Sequence, residues 1–361
     1  MSQFRSSGPR RFTFFGDNTV VSLLVSILIL LTAYIAIRPR FSGGRLLINK
    51  LNVLTSEEVR LLPDGTLPVV LGRGLAEGNR SFRLQLLRLV MQRSGVPHAV
   101  GFTSSALTQD AAVDALSTGA LGGSSNTESI TVGAYGAGPT LNRQLRAIPI
   151  PISGGLLGLR VGWAHRSRLM GLEGIQNIED LRRFTLLQGQ GWSELGIFDN
   201  SGLRTFATPS HNLFRLVSEE RVDLFPQGIE SVESQEITAK KWSKSIVIEP
   251  SLLISYPFAR FFYVNKDNKK LAEAIERGFE QAIADGSYQA LLERVVMTPW
   301  LKQRLALRQR TVIFLPNPSA KQALERVKPS HWLVPWDDLA AGRIKTGEQL
   351  CALSRFQALC Q

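Results

Sequence analysis

The sequence predicts a two-lobed α/β fold behind an N-terminal transmembrane anchor. Three observations carry that expectation. Apolar runs of strand length and helix length alternate as β-α-β-α-β after residue 65. The alternation breaks near Leu145 and then restarts. An 18-residue stretch near the N-terminus, VVSLLVSILILLTAYIAI, holds no charged residue. Alternating strands and helices read as a mostly parallel sheet covered by helices.

The 361 residues suffice for two domains or one large one, and 44% hydrophobic with 20% charged residues is a globular composition. The net charge of +12 is uneven: residues 1–45 hold Arg5, Arg10, Arg11, Arg38, Arg40 and Arg45 against Asp17 alone, five of the twelve positive charges. The rest is only mildly basic, which argues against a nucleic-acid partner, since that would need basic residues gathered on one reading element. At 1.5 Å per residue, a helix over residues 20–37 spans about 27 Å, enough to cross a bilayer core. Small residues at the −3 and −1 positions of a cleavage site are missing after it. The run therefore reads as an uncleaved signal anchor in preference to a cleaved signal or a buried core helix. Residues 1–19 would then be a cytoplasmic tail, and everything after about Arg38 periplasmic.

Beyond the anchor, residues 67–72 form the first strand candidate. Phe82, Leu86, Leu89 and Val90 fall on one face of a helix over 79–94. A strand at 97–103, a helix at 108–121 and a third strand at 129–133 follow. The prolines of IPIPI (residues 148–152) each lack a ladder donor and cannot continue an inner strand. The segment 154–163 is then an extended crossing into a second lobe. That lobe carries strands at 186, 203–207 and 222–225 and helices at 193–200 and 212–219. A strand at 260–264 returns, and a helix over 268–284 stops at Asp285-Gly286. The expected division is residues 46–165 for the first part of lobe one, 166–256 for lobe two, 257–298 for the return, and 299–361 for a C-terminal appendage packed on lobe one. A ligand would sit between the lobes, where strand ends and helix N-termini converge.

Catalysis has no visible foothold. No nucleophile elbow, phosphate-binding loop or zinc motif occurs, and His98, His165, His211 and His331 lack metal-ligand spacing. No cofactor and no metal is expected. Cys351 and Cys360 could pair in an exported chain or remain free thiols.

At residues 65–297 the chain resembles the type II periplasmic solute-binding proteins, specifically family 3, which capture amino acids for ABC transporters. Thr140-Leu141-Asn142-Arg143 matches the family's Thr-x-x-Arg signature. NIEDLR (177–182) followed by QGQGWS (188–193) is similar to the opening of its second lobe, ERVDLF (220–225) to its turn into the hinge, and residues 271–288 to its closing helix. GQGW (189–192), the IPI…GLLG run (148–158) and DLFPQGIE (223–230) together resemble a less characterised branch. The resemblance implies that Arg143 grips a solute carboxylate through a planar fork, with Arg146 as the alternative. The family's small hydroxyl residues before that arginine are replaced by Gly138 and Gly136. Gln227, Gly228 and Glu230 stand where its amine-binding aspartate is usually found.

The candidate ligand-binding set is therefore Arg143, Thr140, Tyr135, Gly191, Trp192, Ser193, Gln227 and Glu230. Tyr135 would be a stacking platform and Trp192 a cleft wall. Ser193 would cap a helix whose free N–H groups attract an anion, and Glu230 would accept an ammonium. Asp223 reads as a turn cap, and Gly72-Arg73-Gly74 as a turn. The expected function is capture of a small anionic or zwitterionic, amino-acid-like solute by a membrane-tethered periplasmic protein, with lobes closing at hinges near 159–162 and 256–263. An inner-membrane permease or a sensor would be the partner. The alternatives are a ligand-free structural, assembly or sensory module on the same fold and, further off, a periplasmic enzyme, for which only Glu230, Asp223 and Glu194 offer an acid.

Overall fold

A computed structural model describes residues 51–74, 77–119 and 129–360. The expected tail and anchor, residues 1–37, lie outside them. Among the described residues no helix is long and apolar enough to cross a membrane.

Lobe one begins with β1 (Leu67–Arg73), β2 (His98–Ala106), β3 (Gly133–Gly136) and β4 (Arg146–Ile148). The chain then forms β5 (Leu159–His165), β6 (Thr185–Gly189), β7 (Arg204–Thr208), β8 (Phe225–Gly228), β9 (Ile246–Ile248) and β10 (Leu252–Ser255). It returns through β11 (Arg260–Val264) and later adds β12 (Thr311–Phe314). In lobe one, β1 and β2 run parallel, a bridge at Leu71–Val132 joins β1 to the approach of β3, and β11 lies antiparallel between β3 and β4. In lobe two, β6 and β7 run parallel, a bridge at Leu186–Leu224 joins β6 to the approach of β8, and β8 pairs antiparallel with β5. On its other side β5 pairs with β9 and β10, and β12 closes the row, parallel to β10.

The apolar patterns explain this layering. Val69, Val70 and Leu71 of β1 are fully buried, as a strand covered on both faces requires. Helix Lys269–Ala284 starts where the Asn268 side chain accepts from Leu271 N–H (3.2 Å), and it lays Leu271, Ile275, Phe279 and Ala282 into the core of lobe one. It crosses helix Phe82–Ser94 at Gly278, where a Cβ would stand 1.9 Å from the Val90 carbonyl oxygen.

Three expectations shift. The third strand starts at Gly133 rather than 129, because residues 129–132 meet β1 through the Thr131 hydroxyl (2.8 Å from Val70 N) and one bridge before the ladder with β11 begins. The strand expected at 222–225 becomes Phe225–Gly228, since Asp223 and Leu224 are bonded to the start of β6. The C-terminal appendage does not pack on lobe one alone: β12 extends the lobe-two sheet, while Ala323 and Val327 join the core of lobe one. The cysteines pair, Cys351 to Cys360.

Candidate functional site

The cleft between the lobes has a cavity volume of about 540 Å³. Helix Gln109–Ser117 supplies one wall with Gln109, Asp110, Asp114 and Ser117. Helix Pro139–Gln144 supplies a second with its N-cap Gly138, Thr140 and Gln144. Lobe two contributes Gly191 and Ser193, the crossing segment contributes Phe258, and the C-terminal appendage contributes Asn317, Ser319 and Ala320. Helix 109–117 is fixed by Thr108, whose hydroxyl accepts from Ala111 N–H (3.3 Å) and whose φ of −67° is extended. Asp110 and Asp114 are one turn apart and therefore share a face. Among the described residues lining the cleft, these are the only charged side chains.

The turn GQGW explains its own glycines. Trp192 N–H bonds Gly189 O (3.1 Å), closing a β-turn, and Gly191 takes φ +77°, where side chains are disfavoured. At Gly189 a Cβ would lie 2.3 Å from the Trp192 ring, so the indole folds back over the glycine. It also approaches Phe225, with ring centroids 6.4 Å apart. Trp192 thus faces its own lobe and is not among the cleft-lining residues.

Ser193 does line the cleft, but it has helical φ and ψ of −59° and −24° and its side chain makes no cap hydrogen bond. The helix behind it, Glu194–Asn200, is seven residues long and carries its own anion at its start. Glu194 is buried and accepts from Arg160 Nη2 at 2.6 Å. The Arg160 guanidinium stands 5.3 Å from the Tyr256 ring and 5.7 Å from that of Phe258. The expected cradle for a foreign anion is therefore matched by a carboxylate of the chain itself, already paired.

The remaining candidates fall apart in space. Thr140 lines the cleft and accepts from Arg143 Nη2 (3.2 Å), whereas Arg143 is exposed and off the lining. Arg146 is exposed and donates to Lys266 O (3.0 Å). Tyr135 is 8% exposed, inside the core of lobe one beside Tyr263, and burial pushes its phenol up to about 12 against the opposing pull of Arg83. It has no open face for stacking. Gln227 is buried on β8 and accepts from Trp163 Nε1 (2.9 Å). Glu230 has partners for both oxygens, Arg260 Nη1 at 2.6 Å and the Ser153 hydroxyl, so it is not open to an ammonium. Asp223 accepts from Thr185 N–H (2.8 Å), a structural role as read from the sequence.

Of the eight candidates, the cleft gathers Thr140, Gly191 and Ser193. Sequence reasoning missed Asp110 and Asp114, whose four-residue spacing on a predicted helix was the available signal. It also missed Asn317 and Ser319, for which no local signal exists.

The described residues thus form two α/β lobes linked by crossing strands, with a cleft between them. No family model matches the chain, and no curated protein matches it. Among solved structures it is similar to an ancestral arginine-binding protein bound to arginine, at 18% identity over 64% of this chain and 97% of that one, with a TM-score of 0.45. A putative binding component of an ABC transporter from Wolinella succinogenes, complexed with lysine, is 17% identical over 66% and 98%, with a TM-score of 0.47. A histidine kinase sensor domain with similarity to periplasmic binding proteins is 14% identical over 65% and 98%, with a TM-score of 0.47.

Proposed function

We propose that the chain captures a small solute in the interlobe cleft, and that the solute carries an ammonium group, as a zwitterion or a cation. The observation that supports this is the lining itself: two carboxylates one helical turn apart, hydroxyl and amide groups of Thr140, Gln144, Ser193 and Asn317, and no basic side chain among the described lining residues. A positive group opposite Asp110 and Asp114 would gain charge-assisted hydrogen bonds. A bare anion would find two like charges and a helix start already matched by Glu194. Arg143 would meet a solute carboxylate only by leaving Thr140, so the clamp expected of it is secondary in this reading. The protein would work in the periplasm, tethered by residues 20–37, and would hand its solute to a permease or report it to a sensor.

Thermal shift with L-lysine, L-glutamine, L-glutamate, putrescine and succinate tests the proposal. A true ligand at 100 times its Kd adds about 2.7 kcal/mol of stability. Asp114→Asn should weaken an ammonium-bearing ligand by about 1.5–3 kcal/mol, the range for hydrogen bonds to charged groups, without changing unliganded stability. A shift with succinate alone, or none with any probe, rejects the reading.

A further inference from the structure

The C-terminal segment crosses between the lobes three times. It leaves lobe one at Thr298, whose hydroxyl donates to Glu233 on the lobe-two helix Val232–Trp242 (2.5 Å). It then runs as β12 along β10, anchored by the buried Arg310, which donates to the carbonyls of Glu249 and Leu252 at 2.7 Å each. Next it passes the mouth of the cleft. Leu315 N–H bonds Ser255 O (2.8 Å), and Asn317 Nδ2 donates to Pro257 O (2.9 Å) while its Oδ1 accepts from Ala320 N–H (3.3 Å). Ala323 and Val327 then enter the apolar core of lobe one beside Val113 and Leu145. There Lys328 and His331 both reach Glu280, at 2.5 and 3.2 Å. Leu333 N–H bonds Gly154 O (2.8 Å) on the connector into lobe two, and the chain ends back on lobe two, with Gly347 N–H on Arg310 O (2.8 Å).

Hinge closure in a two-lobed protein rotates the lobes about their crossing strands. Here a segment outside those strands is fixed to lobe two by a sheet ladder and to lobe one by a buried apolar patch and a shared carboxylate. Rotation would have to tear one attachment. Between the attachments lie the three residues that complete the cleft.

We infer that the C-terminal segment is a strap that sets the angle between the lobes and presents Ser319 as a specificity-determining residue, held in place by the paired Asn317, so that a solute enters a preset slot bounded on three sides. The specificity role rests on the proposed solute-binding reading; the bracing role does not.

The test uses the full chain with its disulfide intact and no ligand, so its outcome is independent of whether any solute binds. Cysteines replacing Lys241 on lobe two and Lys270 on lobe one carry nitroxide labels, and pulsed dipolar spectroscopy reads the distance between them. The strap predicts one narrow distribution, which broadens when Glu280→Gln removes the partner of Lys328 and His331, and broadens further with Trp332→Ala, which removes a ring packed against the lobe-one core. A broad distribution in the parent, or an unchanged one in Glu280→Gln, overturns the brace. Separately, Ser319→Cys, exposed to water like Ser354 but lying inside the cleft, should react with a small methanethiosulfonate as fast as Ser354→Cys does, yet roughly tenfold more slowly than it with a large polyethylene-glycol maleimide, as a walled cleft requires. Equal rates with the large reagent overturn the third wall. Loss of the wall with the brace intact would count against the specificity role alone.

Discussion

Glu194 occupies the first position of its helix with its carboxylate against Arg160, and both side chains are buried, at 10% and 2% exposure. Removing one partner of such a pair leaves the other charged and out of water, which costs far more than the pair contributes. Glu194→Ala should therefore lower unfolding free energy by about 3–5 kcal/mol, read by urea denaturation. The double change Arg160→Met with Glu194→Leu should recover most of that loss, because two apolar groups of similar volume leave nothing unpaired. A single-variant loss below about 1 kcal/mol would mean that the pair is solvated. The same residues explain why GQGW reads ambiguously. Its glycines answer a backbone φ of +77° and a folded-back indole, and neither need is visible as anything but glycine in the sequence.

At the level of elements, helix Lys269–Ala284 ends in Asp285 and Gly286, the latter at φ +77°. The Asp285 carboxylate accepts from Ser287 N–H (2.9 Å) and from Arg93 Nε (2.5 Å), tying the helix end to helix Phe82–Ser94. Hydrogen bonds from Ser287, then from Arg93, hold its carboxyl down at about 2. Because the folded value is depressed, its stabilising effect is complete above the ordinary aspartate value of about 3.9 and is lost as pH falls from there towards about 2. Asp285→Asn should flatten that part of the acid-unfolding profile and leave the profile above pH 5 unchanged, within the spread of aspartate values. A parent and variant with parallel profiles between those pH values would show that the bonds form equally in the unfolded chain. Glu280 behaves in the same sense: its partial burial works upward, but the hydrogen bonds from Lys328 and His331 bring it below the usual carboxylate range.

Over the whole molecule, the Cys351–Cys360 bond closes a short loop at the end of the strap, nine residues apart in sequence. A loop of that length restrains the unfolded chain by about 3 kcal/mol in the chain-entropy account. Reduction should lower the melting temperature and raise amide exchange in residues 341–360, where the strap returns to lobe two. Exchange in the lobe-one contacts at residues 323–331 should hold, since Val327 and the Glu280 pairs do not depend on the loop. Hydrogen exchange with mass spectrometry separates the two regions. Loosening of 323–331 on reduction would make the strap one cooperative unit instead of two anchored ends.

Much of the architecture was legible because it is periodic and local. The alternation of apolar runs marked both lobes, the prolines at 149 and 151 marked the crossing, and β11 and helix Lys269–Ala284 fall within a residue of where their patterns lie. Thr140, Gly191 and Ser193 reach the cleft because loops at strand ends and helix starts converge there in this arrangement. Three of the other candidates turned inward for reasons that pair residues distant in sequence: Glu230 with Arg260, Gln227 with Trp163, Tyr135 with Tyr263. Propensity and spacing report on neighbours three or four residues apart, whereas these partners stand 30 to 128 positions apart. The strap is the extreme case: residues 317–320 meet a cleft whose walls begin at residue 109, and only the folded chain brings them together, because burial and ladder pairing reward contacts without regard to their separation along the sequence.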